Sequence, residues 1–138
     1  MTASAPIFEL RNLAFSWPDA MGNAGRGKPV FRDLNFSLTD SEKIGLYGPN
    51  GCGKTTLLKL ITGLLTPQAG DVCFEGTPVK TEAEFRSLRC AVGYVLQNAE
   101  DQLFFPEVIE DVSFGPLNLG RSQAEALKDA EETLETLG

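Results

Sequence analysis

The stretch Gly48-Pro49-Asn50-Gly51-Cys52-Gly53-Lys54-Thr55 matches the phosphate-binding pattern G-x-x-x-x-G-K-[ST] at every fixed position. An apolar run at 43–47 precedes it and predicts a buried strand, and a helical pattern at 55–61 follows it. Strand, glycine-rich loop and helix in this order are the context that the pattern requires. The stretch therefore predicts an α/β fold built around a site for the phosphates of a nucleotide.

The residue types of the loop suit a polyphosphate. Glycine lacks a Cβ atom, so the backbone can adopt positive φ angles and turn successive N–H groups towards the phosphates. The helix that begins near Lys54 adds the positive end of its dipole. Lys54 is predicted to reach the β- and γ-phosphates, and Thr55 to ligate the bridging Mg²⁺. The predicted contacts with the nucleotide phosphates are Gly48, Pro49, Asn50, Gly51, Cys52, Gly53, Lys54, Thr55 and Thr56.

Composition places the chain among ordinary globular proteins. Its 138 residues correspond to about one domain, with 42% hydrophobic and 22% charged residues. Twelve Lys and Arg against nineteen Asp and Glu give a formal net charge of -7, which disfavours binding to nucleic acid or to an anionic membrane surface. No metal-ligand spacing connects Cys52, Cys73 and Cys90, which are expected to be reduced thiols, and His is absent.

Targeting signals are not apparent in the sequence. No run approaches the roughly 18 apolar residues of a membrane span. Residues 1–6 lack the basic and apolar regions of a signal peptide. We therefore expect a cytoplasmic location.

Period-two alternation predicts strands at 7–15, 34–38 and 71–75, with the first two antiparallel. The glycine-rich segment from Pro18 to Pro29 has no periodicity and predicts a surface loop. A second apolar run, at 91–96, predicts another buried strand.

Helix boundaries follow from capping signals. The pairs Thr81/Glu84 and Ser122/Glu125 have the spacing of capping boxes, which open a helix to about residue 89 and a last helix. Gly63 and Pro67 are expected to end the helix after the glycine loop. Pro106 predicts the first position of a further helix, which Gly115-Pro116 is expected to break near Phe114. In the last helix, four apolar residues recur on one face: Leu127, Ala130, Leu134 and Leu137.

Trp17 has two interpretations from the sequence alone. It is either a core or surface aromatic residue, since such side chains usually bury area, or a platform on which a nucleotide base stacks.

These positions together resemble the N-terminal half of an ABC transporter ATP-binding subunit. Gly48 to Thr55 matches the Walker A loop of that family, and Val92-Gly93-Tyr94-Val95-Leu96-Gln97 matches the strand that leads into its Q-loop. The resemblance implies that Gln97 contacts Mg²⁺ and the attacking water, so that Lys54 and Gln97 act in catalysis and Thr55 and Gln97 on the metal. It also places Trp17 at the aromatic position that stacks on adenine.

A narrower resemblance, to the energy-coupling-factor and cobalt/nickel importer ATPases, rests on Gln97-Asn98-Ala99-Glu100-Asp101-Gln102-Leu103-Phe104. Ala99 and Glu100 depart from that family's usual Pro and Asp. The resemblance implies that 97–106 receives coupling helices of a transmembrane subunit, with Leu103, Phe104 and Phe105 as apolar contacts. The alternative is that these three side chains pack into the chain's own core.

The implied fold is an α/β P-loop NTPase fragment with an antiparallel β subdomain, a Walker A strand-loop-helix and the start of a helical subdomain. About 1–97 would form the β subdomain and P-loop core, and about 98–138 the Q-loop and helical part. The family's signature segment, Walker B strand, catalytic Glu and switch His are not found in residues 1–138. We therefore expect this chain to bind Mg-ATP without turning it over, and the strand at 43–47 to expose an apolar edge.

The resemblance further implies a second ATPase subunit as partner, a peripheral position at the inner face of the cell membrane, and transport of a metal ion or a vitamin. The alternative is a non-catalytic nucleotide-binding or interaction module derived from an ABC ATPase. A small nucleotide kinase is disfavoured because 98–138 has no Arg-rich lid, and a chromosome-maintenance ATPase because no long heptad pattern follows Gln97.

Overall fold

An antiparallel sheet dominates the first part of the chain. The computed structural model describes residues 5–23 and 27–138. Its four strands are β1 Pro6–Ser16, β2 Pro29–Thr39, β3 Ala69–Phe74 and β4 Thr77–Val79, in the order β2-β1-β3-β4. Each neighbouring pair is antiparallel. The antiparallel β subdomain that the sequence predicts is thereby confirmed.

Two sequence-based predictions extend beyond the described residues. The N-terminal segment without a signal peptide pattern includes 1–4, and the predicted surface loop includes 24–26. Both of these stretches lie outside the part of the chain that the structure describes.

The central strand β1 buries one face in the core. Phe8, Leu10, Leu13 and Phe15 are buried, and the step of three between Leu10 and Leu13 coincides with a shift of register at Asn12. Asn12 has a φ of 48°, a conformation that asparagine tolerates better than most residues. This bulge explains why alternation along the strand is only partial in the sequence. The buried side chains that join this face from elsewhere are Leu57, Leu60, Val72, Val79, Phe85 and Leu88.

The sequence pattern does not predict strand β4. Gly76-Thr77-Pro78 was expected only to close the preceding strand, but Glu75-Gly76 forms a two-residue turn and Thr77 pairs with Phe74. Pro78 obscures the strand pattern because proline lowers strand propensity. Its position in a strand with only one neighbour in the described sheet makes it tolerable.

The helices are α1 Lys54–Ile61, α2 Glu82–Ala91, α3 Val108–Asn118 and α4 Gln123–Leu137, with a 3₁₀ turn at Ala99–Gln102. Both predicted capping boxes are present, since Thr81 and Ser122 each accept the N–H of the glutamate three residues on and each glutamate side chain bonds back. Helix α1 ends just before Gly63, as predicted.

Two predicted strands are wrong. The segments 43–47 and 92–96 have no ladder partner among the residues that the structure describes, and Ala91 belongs to α2. Apolar character is not sufficient for a strand, because its N–H and C=O groups also need neighbouring strands to bond to. Ile44, Leu46 and Tyr47 are exposed, Tyr47 fully, so the expected exposed apolar stretch is confirmed.

The limits of α3 also differ from the prediction. The helix begins at Val108 after Glu107, not at Pro106, and it continues through Gly115-Pro116 to Asn118. Pro116 has no N–H to bond to the carbonyl of Val112, but only Leu117 and Asn118 of α3 follow it, so the helix continues for less than one further turn. A proline close to a helix end therefore need not break it.

The buried face of α4 is narrower than predicted. Ala126 and Ala130 are buried, whereas Leu127 and Leu137 of the predicted apolar face are exposed. Small side chains at these positions suit close approach of two helices, and α4 packs against α3. The helical spacing of apolar residues does not by itself show which of two adjacent rows of side chains on the helix is buried.

The chain divides into two units at Val92–Gly93, which are described separately below. The division between subdomains at about residue 97 stays a prediction. Among the helices of the described residues, none is both long and apolar enough to cross a membrane.

The capping boxes predict a pH dependence of stability. Hydrogen bonds from the backbone N–H groups of Thr81 and Lys80 lower the pKa of Glu84, and bonds from the hydroxyl and N–H of Ser122 lower the pKa of Glu125. Because the pKa is lower in the folded protein, this stabilisation is fully present above about pH 4.3 and is lost as the pH falls through the folded pKa. The double variant Glu84→Gln, Glu125→Gln should show a flatter dependence of the free energy of unfolding on pH between about pH 5 and 2.5.

The measurement is urea denaturation at several pH values. Glu131→Gln, at an exposed position on α4, is the control and should leave the pH dependence unchanged. An equally steep loss of stability in the double variant and the wild type would contradict the prediction.

Candidate nucleotide-binding site

The glycine-rich loop leads directly into α1. Gly53 is the N-cap residue of α1, with a φ of 104° and a ψ of 6° in the left-handed region, which glycine adopts without steric cost. Gly51 also has a positive φ, of 79°. The two glycines curl the backbone so that the loop turns back over the first turn of the helix.

The amino end of α1 is left without a cap. No side chain of the described residues bonds to its first turn, and that turn contains no acidic residue. Helices α2 and α4, in contrast, each close their amino ends with a capping box. The N–H groups of Lys54, Thr55 and Thr56 precede the first intrahelical bond, which Leu57 donates to Gly53. This helix end is therefore suited to an anion from another molecule.

Strand β2 supports the loop from behind. A Cβ atom built on Gly53 would lie 2.7 Å from Val30 Cγ1 and 2.9 Å from Phe31 Cζ. Val30 and Phe31 lie in the first part of β2. The sequence pattern predicts only 34–38 as a strand, because Pro29 lowers the strand signal at its start. The loop is thus packed closely against the sheet at Gly53, which fixes the direction in which α1 leaves it.

Lys54 lies over the loop. Its Nζ donates to the carbonyl oxygens of Gly48 at 2.7 Å and Pro49 at 2.9 Å, and it lies 3.8 Å from Cys52 Sγ. The ammonium group is therefore placed on the concave side of the loop, close to the uncapped helix end. A phosphate oxygen bound there would meet both a positive charge and backbone donors.

The two threonines of the first turn face different ways. Thr55 is exposed, whereas Thr56 is only 8% exposed and packs on the core side of α1. An exposed hydroxyl is able to ligate a hard cation such as Mg²⁺. Thr55 is therefore the better placed of the two for a metal, and Thr56 contributes chiefly to packing.

Trp17 follows β1 in the same unit as the loop. Its indole is 43% exposed and meets the ring of Phe15 edge-on, with centroids 5.2 Å apart and an interplanar angle of 84°. Phe15 pairs with Phe31 across the strands, and Phe31 is the residue that backs Gly53. Trp17 thus follows the end of β1 that pairs with the β2 residues behind the loop, and its half-exposed indole is compatible with stacking.

Gln97 belongs to the second unit. It is exposed and follows the unpaired segment 92–96, just before a 3₁₀ turn in which Asn98 Nδ2 donates to Asp101 Oδ2 at 3.3 Å. The role of Gln97 at a metal stays a prediction.

Comparison with known proteins identifies the family of this chain. The family model described as ABC transporter matches residues 31–138, which include the glycine loop, α1 and both capping boxes. The chain belongs to the ABC transporter family.

Relatives of this ABC domain include importer subunits. The energy-coupling factor transporter ATP-binding protein EcfA of Methanothermobacter thermautotrophicus is 41% identical over 133 residues, covering 96% of this chain and 40% of the relative. The cobalt import ATP-binding protein CbiO of Rhodobacter capsulatus is 42% identical over 133 residues, covering 96% and 45%. The chain thus spans less than half the length of these relatives.

Solved structures agree with the fold. CbiO1 of Clostridium perfringens, described as part of the ABC transporter complex CbiONQ, matches with a TM-score of 0.78 and 27% identity, over 94% of this chain and 49% of that one. An ATP-binding cassette solved as a dimer with ADP and Pi matches with a TM-score of 0.76 over 93% of this chain and 56% of that one. At 22% identity the second match supports the fold alone.

The second unit of the ABC domain exposes an apolar surface. Leu103 and Phe104 are 64% and 74% exposed, while Phe104 and Phe105 both contact the ring of Phe114, with centroids 6.3 and 5.4 Å apart. Asp111 Oδ1 accepts the N–H groups of both Phe104, at 2.9 Å, and Phe105, at 3.2 Å. Phe104 and Phe105 are therefore held by α3, and the side chain of Phe104 stays exposed.

Proposed function

We propose that this chain binds Mg-ATP at the loop Gly48–Thr55 and the first turn of α1. The observation that carries the proposal is the uncapped helix end at Gly53 with the Lys54 ammonium placed above the loop. Lys54 would bind the β- and γ-phosphates, and the exposed Thr55 hydroxyl would ligate Mg²⁺. The remaining contacts would come from the loop residues Gly48, Pro49, Asn50, Gly51, Cys52 and Gly53 and from the N–H of Thr56.

The rest of the proposed site lies outside the loop. Trp17 would stack on the base, which its half-exposed indole supports. Gln97 would contact Mg²⁺ and the attacking water. Lys54 and Gln97 are the residues proposed to act in catalysis.

In the longer protein, ATP binding and hydrolysis would drive an importer. The name of one relative, a cobalt import ATP-binding protein, supports a metal ion as the cargo. A vitamin is the alternative that the resemblance to energy-coupling-factor ATPases leaves open. The residues 1–138 alone are proposed to bind Mg-ATP without measurable hydrolysis, because catalysis also needs groups that orient the attacking water and stabilise charge.

The proposed partners are a transmembrane subunit, contacted through 97–106, and a second ATPase subunit. The exposed side chains of Leu103 and Phe104 support the first, since apolar residues held by a helix without being buried suit a protein interface. Such contacts would place the protein peripherally at the inner face of the cell membrane.

Alkylation of Cys52 tests the site. Cys52 is exposed and lies beside Lys54, so a bulky adduct such as N-ethylmaleimide should occupy the space of the phosphates. We expect ATP with Mg²⁺ to slow the alkylation of Cys52 at least tenfold, and the alkylated protein to lose binding of a fluorescent ATP analogue. Peptide mass spectrometry measures the rate at each cysteine.

Cys90, which is also exposed, is the internal control, because it lies at the carboxyl end of α2 away from the loop sequence. Its rate of alkylation should not change with ATP. Equal rates at Cys52 with and without Mg-ATP would contradict the proposed site.

A further inference from the structure

Trp17 is the single tryptophan of the chain, and the backbone on both sides of it is held by side chains from elsewhere. The indole itself is half-exposed and contacts Phe15 at its edge. Because few contacts fix the ring directly, its position depends on how firmly the residues before and after it are placed.

Gln68 fixes the residue before Trp17. Its side-chain Oε1 accepts the N–H of Ser16 at 2.5 Å, and its Nε2 donates to the carbonyl oxygen of Ser16 at 2.8 Å. The backbone N–H of Gln68 also donates to the carbonyl of Ala14 at 2.9 Å. The amide group thus bonds to both polar groups of Ser16 as a neighbouring strand would, and extends the sheet to the end of β1.

Asp19 fixes the segment after Trp17. Its Oδ1 accepts the N–H groups of Met21 at 2.9 Å and Asn23 at 2.8 Å, and the Asn23 side-chain amide donates to Oδ2 at 3.0 Å. These bonds, above all that from the Asn23 side chain, lower the pKa of Asp19. The N–H of Gly27 donates to the carbonyl of Trp17 at 3.0 Å. Residues 19–23 therefore form a turn that begins two residues after Trp17.

We propose that Gln68 and Asp19 are positioning residues that hold the Trp17 ring where a nucleotide base stacks. This inference rests on the proposed binding of ATP. Side chains that order the backbone before the ligand arrives reduce the entropy lost on binding, so they raise affinity without touching the ligand. Gln68 and Asp19 would therefore raise the affinity for the base and leave the binding of the phosphates at Lys54 unchanged.

The test compares Mg-ATP with inorganic tripolyphosphate and Mg²⁺, which offers the phosphates without a base. Binding of both is measured by calorimetry. Trp17→Ala should weaken ATP about three- to tenfold and leave tripolyphosphate unchanged. Gln68→Ala and Asp19→Ala should weaken ATP about two- to fivefold, also without an effect on tripolyphosphate.

Fluorescence supplies a second readout that a general loss of stability would not move. Trp17 is the single tryptophan, so it is the source of all tryptophan fluorescence. Quenching of this fluorescence by ATP therefore reports the contact between the indole and the base. Gln68→Ala and Asp19→Ala should reduce the maximal quenching at saturating ATP. Asp19→Asn keeps an oxygen that can accept from Met21 and Asn23, so it should retain most of the quenching.

Asn35→Ala is the matched control. Asn35 Oδ1 accepts the N–H of Asn12 at 2.9 Å, so it is also a side-chain amide bonded to the backbone of β1, but it acts at the bulge and not at Ser16. This variant should bind ATP and tripolyphosphate like the wild type. Unfolded protein lowers the number of sites for both ligands equally, so the ratio of the two affinities stays interpretable in a destabilised variant.

The outcomes separate this inference from the proposed function. If Lys54→Ala left the binding of tripolyphosphate intact, the phosphate site itself would be refuted. If Trp17→Ala lowered the affinity for ATP but Gln68→Ala, Asp19→Ala and Asp19→Asn all bound and quenched like the wild type, the positioning role alone would be overturned. If Trp17→Ala had no effect on ATP, the ring would not stack and the positioning role would fall with it.

Discussion

Lys54→Ala is expected to weaken the binding of Mg-ATP about 30- to 1,000-fold with little change in stability. A charge-assisted hydrogen bond contributes about 1.5–3 kcal/mol, and Lys54 would make such bonds to two phosphates, so we expect a loss of about 2–4 kcal/mol. In the structure its Nζ donates to the loop carbonyls of Gly48 and Pro49, of which Pro49 is exposed and Gly48 half-buried, and lies 3.8 Å from Cys52 Sγ. Water can replace the ammonium at both oxygens, so the fold should lose little.

The measurement is titration with a fluorescent ATP analogue, beside thermal unfolding of the free protein. Lys59→Ala is the matched control, because Lys59 lies in the last turn of the same helix, where its charge acts on the carboxyl end of the dipole. That variant should bind the nucleotide like the wild type. Phosphate release should be undetectable with every variant, and undiminished nucleotide binding by Lys54→Ala would remove the basis of the proposed function.

Gly53→Ala should be the most damaging of the loop substitutions for folding. The left-handed φ of 104° costs a residue with a Cβ about 1–2 kcal/mol. The new Cβ would also lie 2.7 Å from Val30 and 2.9 Å from Phe31, and overpacking of this kind costs about 1–3 kcal/mol. The free energy of unfolding should therefore fall by about 2–5 kcal/mol in the absence of nucleotide.

Gly51→Ala separates strain from steric conflict. Gly51 has a similar positive φ, of 79°, but no described atom lies within 4 Å of the position of a Cβ. The free energy of unfolding of Gly51→Ala should fall only by the cost of the left-handed backbone conformation, about 1–2 kcal/mol. Urea denaturation of the two variants measures the difference directly. Equal losses would show that Val30 and Phe31 move aside, and that the sheet does not support the loop as closely as described.

Features that depend on near neighbours could be predicted from the sequence. The capping boxes at Thr81 and Ser122 formed as expected, because both partners of each bond lie within one helical turn. The glycine loop and α1 followed the same rule, since the positive φ angles and the uncapped helix end arise from consecutive residues. The family assignment rested on these local patterns too.

Features that depend on distant partners could not be predicted. The apolar run at 43–47 satisfies the pattern of a strand, but a strand forms only where another strand supplies its hydrogen bonds. The same limit applies to the apolar run at 92–96, which also has no ladder partner among the residues that the structure describes. In each case the sequence shows the residue type correctly but does not show which residues surround it in the fold.

The sequence by itself determined the chemistry of this protein: a lysine, a threonine and three glycines in one loop at the start of a helix, which together suit a polyphosphate. Tertiary structure decided what holds that chemistry in place. Gly53 packs against β2, and the Gln68 side chain bonds to Ser16 beside Trp17. The physical reason is that backbone conformation follows mainly from adjacent residues, whereas packing and long-range hydrogen bonds join residues that lie far apart in the sequence.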